Sequence, residues 1–411
     1  MAYNNYYGYL TFSGLSFSSI IFIQIALPYL IASSVGAEGY AQWIFYFSYL
    51  TFLNLVDFGV IANAQLNLLK QYKESNKYFL KFLNNSRNFL FTSCIIFISI
   101  SFIIYGFTSN LALLAISIGI LFNNILRFNI IVLRSMEHIE YYFSYTIFLN
   151  VLIVLLVFFS SSIEKNLVLI SFSYMLAQTL VMLISHIHYS FLIKKLNLFS
   201  NPKELFFKIS IDLPSESIKF WKLTTLQIIN QNIVILFLGS ITSAVQLATI
   251  GALRTIANVG VWIPSIISAA LTPRITYLEK SDDQKKITIF RKLFFIAMLA
   301  IPIPYILIII FFGADILNIW MGNLIEFNKE IMILLLIRMF FVVTGYAIQN
   351  YETAVGAPKD AFKMELIVVS LSILMFLTTY SLSFSLNVIF VSSFLLPYVI
   401  YFMYIFLRRY A

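Results

Sequence analysis

The stretch that decides the fold is FLIKKLNLFSNPKELFFKISIDLPSESIKFWK, residues 191–222. It is the longest polar interval in the chain, it lies at the midpoint of the 411 residues, and it carries six lysines. The sequence on both sides of it is dominated by long apolar runs. We therefore predict an N-terminal lobe, residues 1–206, and a C-terminal lobe, residues 207–411, joined by this basic segment.

The composition excludes a water-soluble globular protein. Hydrophobic residues make up 60% of the chain and charged residues only 11%, which is typical of a protein that crosses a membrane many times. A net charge of +9 would suggest a nucleic-acid partner in a soluble protein. Here the basic residues follow the connections between apolar runs, so their distribution indicates membrane orientation and no nucleic acid is expected.

Each lobe is predicted to contain six transmembrane helices, because spanning the hydrocarbon core takes about 20 apolar residues and helices satisfy their own backbone hydrogen bonds there. The sequence thus predicts an all-α polytopic membrane protein of about twelve helices. The predicted spans are 8–33, 41–66, 88–107, 111–133, 142–161, 167–190, 223–240, 247–273, 293–312, 329–350, 364–382 and 388–407.

The basic residues lie almost entirely on one side of these spans. Lys165 and Lys329 are the exceptions on the opposite side. By the positive-inside rule, both termini are predicted to be cytoplasmic. Because each lobe has an even number of spans, the two lobes would have the same orientation, and parallel repeats of this kind usually enclose a central binding site.

Four ionisable residues fall within the predicted spans away from their ends, and each costs roughly 2.5–3.5 kcal/mol at the centre of a membrane helix unless it meets water or a partner. They are Asp57, Arg127, Arg254 and Arg338. Asp57 is the one carboxylate among them. It is a candidate site for H⁺ or Na⁺ coupling or a partner for an arginine, and a structural carboxylate bonded to a neighbouring helix is the equal alternative.

The three arginines are candidate lining residues of a cationic cavity. Asn123 shares a helical face with Arg127, and Asn258 shares one with Arg254, because side chains three or four residues apart are neighbours on a helix. Snorkelling to the membrane surface is the alternative for Arg127 and Arg254. Arg338 has apolar neighbours on all sides and is the hardest to explain without a cavity.

The remaining polar residues indicate no cofactor. The amides of residues 230–232 point in different directions on a helix, so interhelical hydrogen bonding is expected for those that face no cavity. His186 and His188 have no carboxylate or cysteine at ligand spacing, so we expect no metal site. A guanidinium stays ionised and binds phosphate oxygens bidentately, so an arginine-lined cavity suits an anionic cargo such as a pyrophosphate headgroup.

Several segments resemble the bacterial O-antigen flippases of the Wzx type, polysaccharide transporters of the multidrug/oligosaccharidyl-lipid/polysaccharide (MOP) exporter superfamily. In the first half these are SSVGAEGYAQW, residues 33–43, and Asp57-Phe58-Gly59. In the second half they are Pro273-Arg274, FGADILNIWMG at 312–322, and AVGAPK at 354–359. The resemblance runs from end to end of the chain.

The resemblance implies a function and a location. The expected activity is alternating-access movement of an undecaprenyl-pyrophosphate-linked oligosaccharide, the O-antigen repeat unit, from the inner to the outer leaflet of the bacterial inner membrane, with no catalysis and no cofactor beyond an H⁺ or Na⁺ counter-ion. The expected partners are that lipid-linked oligosaccharide, membrane lipids, and the polysaccharide polymerase and chain-length regulator of lipopolysaccharide biosynthesis.

Two other classes of function stay open. A multidrug antiporter of the same superfamily would share the fold but should favour cavity carboxylates over arginines. An integral-membrane O-antigen polymerase or glycosyltransferase should have a large outer loop with catalytic residues, and the longest predicted outer connection, residues 313–328, offers only Asp315 and Glu326. Capsule, teichoic-acid and lipid II precursors are further candidate cargoes.

Overall fold

The computed structural model describes residues 3–64, 68, 76–135, 139–195, 217–279, 284–355 and 359–410. Nearly all of these residues are helical and none of them is in a β-strand. The helices are α1 Tyr3–Leu50, α2 Asn76–Thr108, α3 Leu111–Ser135, α4 Ile139–Ile163, α5 Leu167–Lys195, α6 Ser217–Gly239, α7 Ala244–Glu279, α8 Gln284–Ala300, α9 Pro302–Met321, α10 Lys329–Val355, α11 Lys359–Ser381, α12 Leu386–Phe390 and α13 Leu396–Tyr410.

The chain divides into two compact units, Met1–Thr225 and Leu226–Ala411. The predicted boundary between residues 206 and 207 lies outside the described residues, so its exact position stays a prediction. The first nine residues of α6 thus belong to the first unit and the remainder of the helix to the second.

The first unit is organised around α3, which is the core helix of that unit. Most of its side chains are buried, and it packs against α2, α4 and α5. Helix α1 packs mainly against α4. It is interrupted at Gly36, whose φ of +72° lies in a region that residues with a β-carbon rarely adopt. This break falls between the predicted spans 8–33 and 41–66.

A tight turn joins α1 to the next helical residues, 60–64, in the first unit. A 3₁₀-helix, Thr51–Asp57, is followed by Phe58 and Gly59, both with positive φ. The first turns of α6 lie directly against this segment: a β-carbon on Gly59 would collide with the carbonyl oxygen of Ser217. Only glycine fits this approach, so the sequence Asp57-Phe58-Gly59 is explained by local packing.

The second unit is built around the pair α7 and α10, which pack along each other. Both helices carry buried apolar side chains, such as Leu253 and Ile256 on α7 and Leu335 and Met339 on α10. Helix α11 packs against α13 and against the π-helical turn Val391–Leu395 that precedes it. This unit therefore brings together residues of α6, α7, α10, α11 and α13.

Ten helical segments among the described residues are long and apolar enough to cross a membrane, and the protein is a multi-pass membrane protein. Two features account for the difference from the predicted twelve. The first two predicted spans form one segment, Gly14–Asp57, interrupted at Gly36. The seventh forms α6, whose three consecutive amides lower its mean hydropathy, and it is not among the ten.

Three predicted boundaries need correction. The ninth predicted span, 293–312, is divided between α8 and α9 at Pro302, whose ring removes a backbone donor from the helix. Helix α9 then continues to Met321, so most of the predicted outer connection 313–328 is helical. Arg87, predicted to precede the third span, is a buried residue within α2.

Candidate functional site

Arg338 is a deeply buried cation of the second unit. Only 6% of its surface is exposed. Its Nη2 donates a hydrogen bond of 2.8 Å to the backbone carbonyl oxygen of Asn230 on α6, and its guanidinium carbon lies 5.8 Å from the ring centre of Tyr398 on α13. Its Nε is buried without a hydrogen-bond partner among the described residues. One donor of this buried cation is therefore still available.

Asn230 connects the helices around Arg338. Its Nδ2 donates to Oε2 of Glu365 on α11 at 2.7 Å, and its Oδ1 accepts a hydrogen bond from the Tyr398 hydroxyl at 2.7 Å. Because its backbone carbonyl also accepts from Arg338, one residue links α6 with α10, α11 and α13. Buried polar networks of this kind strongly constrain the positions of their members.

Glu365 corrects the prediction that Asp57 is the one carboxylate within the spans. It lies inside the apolar segment Ala361–Ser381 of α11 and is only 5% exposed. Among the described residues, no basic group lies within ion-pair distance of it, although it interacts electrostatically with Arg338. Its carboxylate is anchored instead by the Asn230 amide.

The second arginine of this cluster occupies a more accessible position. Arg254 on α7 is half-buried, and its Nη2 donates to the backbone carbonyl oxygen of Gln231. The Gln231 side chain is exposed and its Nε2 donates to the hydroxyl of Tyr346 on α10. Arg254 and Arg338 are thus fixed to adjacent carbonyls of α6, and the structure brings these two predicted residues together.

We refer to Asn230, Gln231, Arg254, Arg338, Tyr346, Glu365 and Tyr398 as the polar cluster. It contains two guanidinium groups and one carboxylate. Its members are graded in exposure: Arg338, Asn230, Glu365 and Tyr398 are buried, Arg254 and Tyr346 are half-buried, and Gln231 is exposed. The buried part can support the accessible part, where a ligand could approach.

Asn258 lies one turn after Arg254 on α7 and is half-buried. Because α7 is continuous from Ala244 to Glu279, the two side chains lie on the same face of the helix, at the four-residue spacing of neighbours. Asn258 makes no hydrogen bond to another described side chain or backbone group that would account for its polar amide. It therefore stands beside the polar cluster with its amide available.

Arg127 and Asn123, the other predicted cavity residues, belong to α3 in the first unit. Arg127 is exposed and Asn123 is half-buried. The adjacent Asn124 is fully buried, where its Nδ2 donates to the carbonyl oxygen of Leu53 at 3.0 Å. The polar stripe of α3 therefore has an accessible part and a part that holds the 3₁₀-helix Thr51–Asp57.

Asp57, the predicted ion-coupling residue, has a local role in the first unit. Oδ1 accepts the backbone N–H of Gly59 at 3.0 Å and Oδ2 accepts that of Ile61 at 3.2 Å. These contacts cap the helical residues that follow the turn, as aspartate commonly does at helix starts. Arg127 is close enough to interact with the carboxylate electrostatically. Both oxygens are thus used by the backbone, and ion coupling at this residue stays a prediction.

The residues that sequence reasoning missed are Glu365, Tyr346 and Tyr398. Glu365 directly follows Lys363-Met364 at the predicted start of a span, so it resembles an interfacial residue in the sequence. The two tyrosines are among 25 in the chain, most of which would serve equally well in the membrane interface. Only their hydrogen bonds to α6 distinguish them. Tyr346 is bonded to Gln231, 115 positions away, and Tyr398 to Asn230, 168 positions away.

A metal centre is not formed by the residues that the structure describes, since no three His, Cys, Asp or Glu side chains come together there. His188 instead shares a hydrogen bond of 2.8 Å between its Nδ1 and the hydroxyl of Tyr145. Cys94 is buried, and its thiol contacts the carbonyl oxygen of Leu121 at 3.6 Å. These groups pack helices in the first unit.

Known proteins resemble this chain in structure and not detectably in sequence. No protein-family model matches the chain, and no curated protein matches its sequence significantly. Among solved structures, the MATE multidrug transporter DinF-BH aligns with a TM-score of 0.71 and 15% identity, covering 98% of this chain and 94% of that one.

Two further solved structures extend this likeness. The lipid II flippase MurJ in an inward closed conformation aligns with a TM-score of 0.71 and 14% identity over 98% of this chain and 87% of its own. A MOP superfamily transporter from Pyrococcus furiosus, described as having a binding pocket of reverse polarity, aligns with a TM-score of 0.65 and 12% identity over 97% and 93%. The chain therefore has the fold of the MOP superfamily transporters, across nearly its whole length.

Proposed function

We propose that this protein is a flippase that moves a polyprenyl-pyrophosphate-linked oligosaccharide, the O-antigen repeat unit, from the inner to the outer leaflet of the bacterial inner membrane by alternating access. The observation that carries the proposal is the pair of guanidinium groups, Arg254 and Arg338, held on adjacent carbonyls of helix α6. The solved structures with the same fold include a lipid II flippase, a protein whose cargo is also a lipid.

The chemistry of the polar cluster suits a phosphate-bearing headgroup. Two guanidinium groups accompany one carboxylate, so the cluster has an excess of positive charge when all three groups are ionised. A pyrophosphate entering hydrocarbon would lose its hydration, and charge-assisted hydrogen bonds from arginine can replace that hydration. Arg254, the more accessible of the two arginines, would contact the phosphate, and the buried Arg338 would add positive charge beside it.

The remainder of the cargo would be accommodated by different chemistry. The prenyl chain would stay in the lipid, while amide and hydroxyl groups beside the arginines would bind sugar hydroxyls. The polysaccharide polymerase and chain-length regulator would receive the product at the outer leaflet. This proposal includes no catalytic step, and an H⁺ or Na⁺ gradient would supply the driving force.

A multidrug antiporter is the second candidate, and Glu365 is the observation that favours it. Such an antiporter should favour carboxylates in its cavity for cationic drugs, and the sequence prediction opposed this function because it found three arginines in the spans. Glu365 is a buried carboxylate within a membrane segment, and MATE transporters share the fold. The two arginines next to it still favour an anion over a cation as cargo.

An O-antigen polymerase or glycosyltransferase has less support. Such an enzyme needs an extended outer region for its catalytic residues, and the largest predicted outer connection is mostly occupied by α9 and a short 3₁₀-helix, Gly322–Leu324. Only residues 325–328 remain between these elements and α10. This leaves little chain for a catalytic domain at that position.

The test is the leaflet position of the lipid-linked oligosaccharide in cells that lack this protein. We expect the oligosaccharide to accumulate at the cytoplasmic leaflet and wild-type protein to relieve the accumulation. Arg338→Gln at equal expression should not relieve it, whereas the control Arg291→Gln, which changes an exposed arginine of the same unit, should. An oligosaccharide that reaches the outer leaflet without this protein but stays unpolymerised would replace the flippase with the polymerase.

A further inference from the structure

Helix α7 has two unlike faces beyond Arg254. On one face, the carbonyl oxygen of Ile256 accepts a hydrogen bond of 2.5 Å from the Tyr305 hydroxyl. On the same side, a β-carbon on Gly260 would lie 2.6 Å from the Tyr305 ring. This face of α7 is filled by α9 and leaves no room for a ligand.

The other face of α7 is open. Arg254, Asn258 and Trp262 follow one another at four-residue spacing, and all three are half-buried, so they form one stripe along the helix. The Trp262 indole makes no hydrogen bond or ring contact with any residue that the structure describes. A large aromatic ring and a polar amide thus stand partly exposed directly after a cation of the polar cluster.

The composition of this stripe differs from the lipid-facing surface of the same unit. The exposed side chains of α9 include Ile303, Leu307 and Phe311, which is the apolar surface that lipid tails require. The Asn258 amide, which has no hydrogen-bond partner among the described residues, would stay unsatisfied if it faced lipid. The stripe on α7 therefore faces a hydrated space or a ligand.

The order of the three side chains matches the order of groups in a glycosylated phospholipid. Arg254 is tied to the polar cluster through the Gln231 carbonyl. At 1.5 Å per residue, Asn258 is about 6 Å and Trp262 about 12 Å further along the helix. A cation, an amide and an indole in this sequence can bind a phosphate, a hydroxyl and the apolar face of a sugar ring.

We propose that Trp262 is a sugar-recognition residue, which stacks on a pyranose ring linked to a pyrophosphate held at Arg254, with Asn258 bonded to a hydroxyl of that ring. The inference rests on the proposed flippase function and adds to it a specificity site for the glycan. Trp262 offers a broad apolar ring together with an N–H donor, and Asn258 offers both a donor and an acceptor.

The experiment compares two lipids on the purified protein in nanodiscs. One is undecaprenyl pyrophosphate, and the other is the same lipid carrying one N-acetylhexosamine. Wild type should bind the glycosylated lipid about five- to tenfold more tightly, as expected for one aromatic stacking contact and one hydrogen bond. Trp262→Ala should lose the larger part of this preference and keep only the part that the Asn258 hydrogen bond contributes, while Trp262→Phe should retain more of it than Trp262→Ala. Trp320→Ala, a half-buried tryptophan of the same unit, is the matched control and should behave as wild type.

The other outcomes separate this inference from the proposed function. If wild type prefers the glycosylated lipid and Trp262→Ala prefers it equally, the sugar site is wrong and the flippase stands. Equal loss of affinity for both lipids in both Trp262 variants would also overturn it, because the residue would then support the headgroup site or the fold. If wild type binds neither lipid, the flippase proposal itself fails.

Discussion

Two buried carboxylates in membrane segments, Asp57 and Glu365, are each only 5% exposed but are satisfied in opposite ways. Asp57 accepts two backbone N–H groups within four residues of itself. Glu365 accepts its hydrogen bond from Asn230, which lies on a different helix 135 positions away. The first carboxylate shapes a turn, and the second belongs to a network that also holds a cation.

This difference distinguishes a carboxylate that stabilises its own turn from one that joins several helices. In the local cap, each carboxylate oxygen already accepts a backbone N–H, so its first role is to hold the turn. The polar cluster is assembled from several helices and still has an unused donor on Arg338. Substitutions should therefore reduce stability alone in the first case, and both stability and transport in the second.

The largest expected effect is a loss of stability in the turn that Asp57 caps. Gly59→Ala drives a β-carbon into the Ser217 carbonyl oxygen at a residue with φ of +76°. Backbone strain and overpacking together should cost roughly 2–5 kcal/mol of unfolding free energy, measured by denaturant titration in mixed micelles. Gly106→Ala is the control, because its β-carbon would meet nothing within 4 Å. Equal stability of the two variants would contradict the packing of this turn.

The next largest effect is expected in the polar cluster, at Glu365. Glu365→Ala removes the acceptor of the Asn230 amide and leaves that buried donor unsatisfied, which should cost about 1–3 kcal/mol of unfolding free energy. Transport of the lipid-linked oligosaccharide should fall as well, because Asn230 also positions the carbonyl that binds Arg338. Both quantities are measured on one purified sample. Full transport by this variant would contradict a role of Glu365 in transport.

Asp57→Ala should destabilise without a specific loss of transport. It removes one capping side chain, which typically costs about 0.5–2 kcal/mol, and Asp57→Asn should cost less because one acceptor oxygen remains. Thermal melting in detergent and transport by the folded fraction are the measurements. The control is Asp315→Ala, at an exposed carboxylate. A folded Asp57→Asn protein without transport would restore the ion-coupling prediction for this residue.

The smallest effects are expected at Tyr398, where two substitutions separate the contribution of the hydroxyl from that of the ring. Tyr398→Phe removes its hydrogen bond to Asn230 but keeps the ring beside Arg338, so the loss of unfolding free energy should be about 0.5–1.5 kcal/mol. Tyr398→Leu should cost about 0.5–2 kcal/mol more, approximately the contribution of a cation–π contact. Identical melting temperatures of the two variants would show that the ring contributes nothing to holding Arg338.

The all-helical, multi-pass fold could be predicted from the sequence because apolar runs of spanning length leave few alternatives. The limits of individual helices were less predictable. Pro302 divides a run that hydropathy treats as one, and the amides of α6 weaken the apolar signal of a helix that nevertheless forms. Hydropathy averages over windows, whereas a single proline or three amides act locally.

The candidate site could be predicted in part. Intramembrane cost identified Arg254 and Arg338, and helical spacing identified Asn258. The same reasoning could not identify Glu365, Tyr346 or Tyr398, because their hydrogen bonds to α6 join residues 115 or more positions apart. Nor could it predict that Asp57 would find its partners within its own turn.

The most direct test of the central claim is a flipping measurement with purified protein in proteoliposomes. Labelled undecaprenyl-pyrophosphate-linked oligosaccharide is followed as it becomes accessible at the opposite leaflet, beside the uptake of a cationic dye. We expect wild type to flip the lipid and to take up no dye. Flipping should decrease about 10- to 100-fold in Arg338→Gln, because hydrogen bonds to charged groups contribute about 1.5–3 kcal/mol. An unchanged flipping rate in Arg338→Gln, or transport of the dye without the lipid, would contradict the central claim.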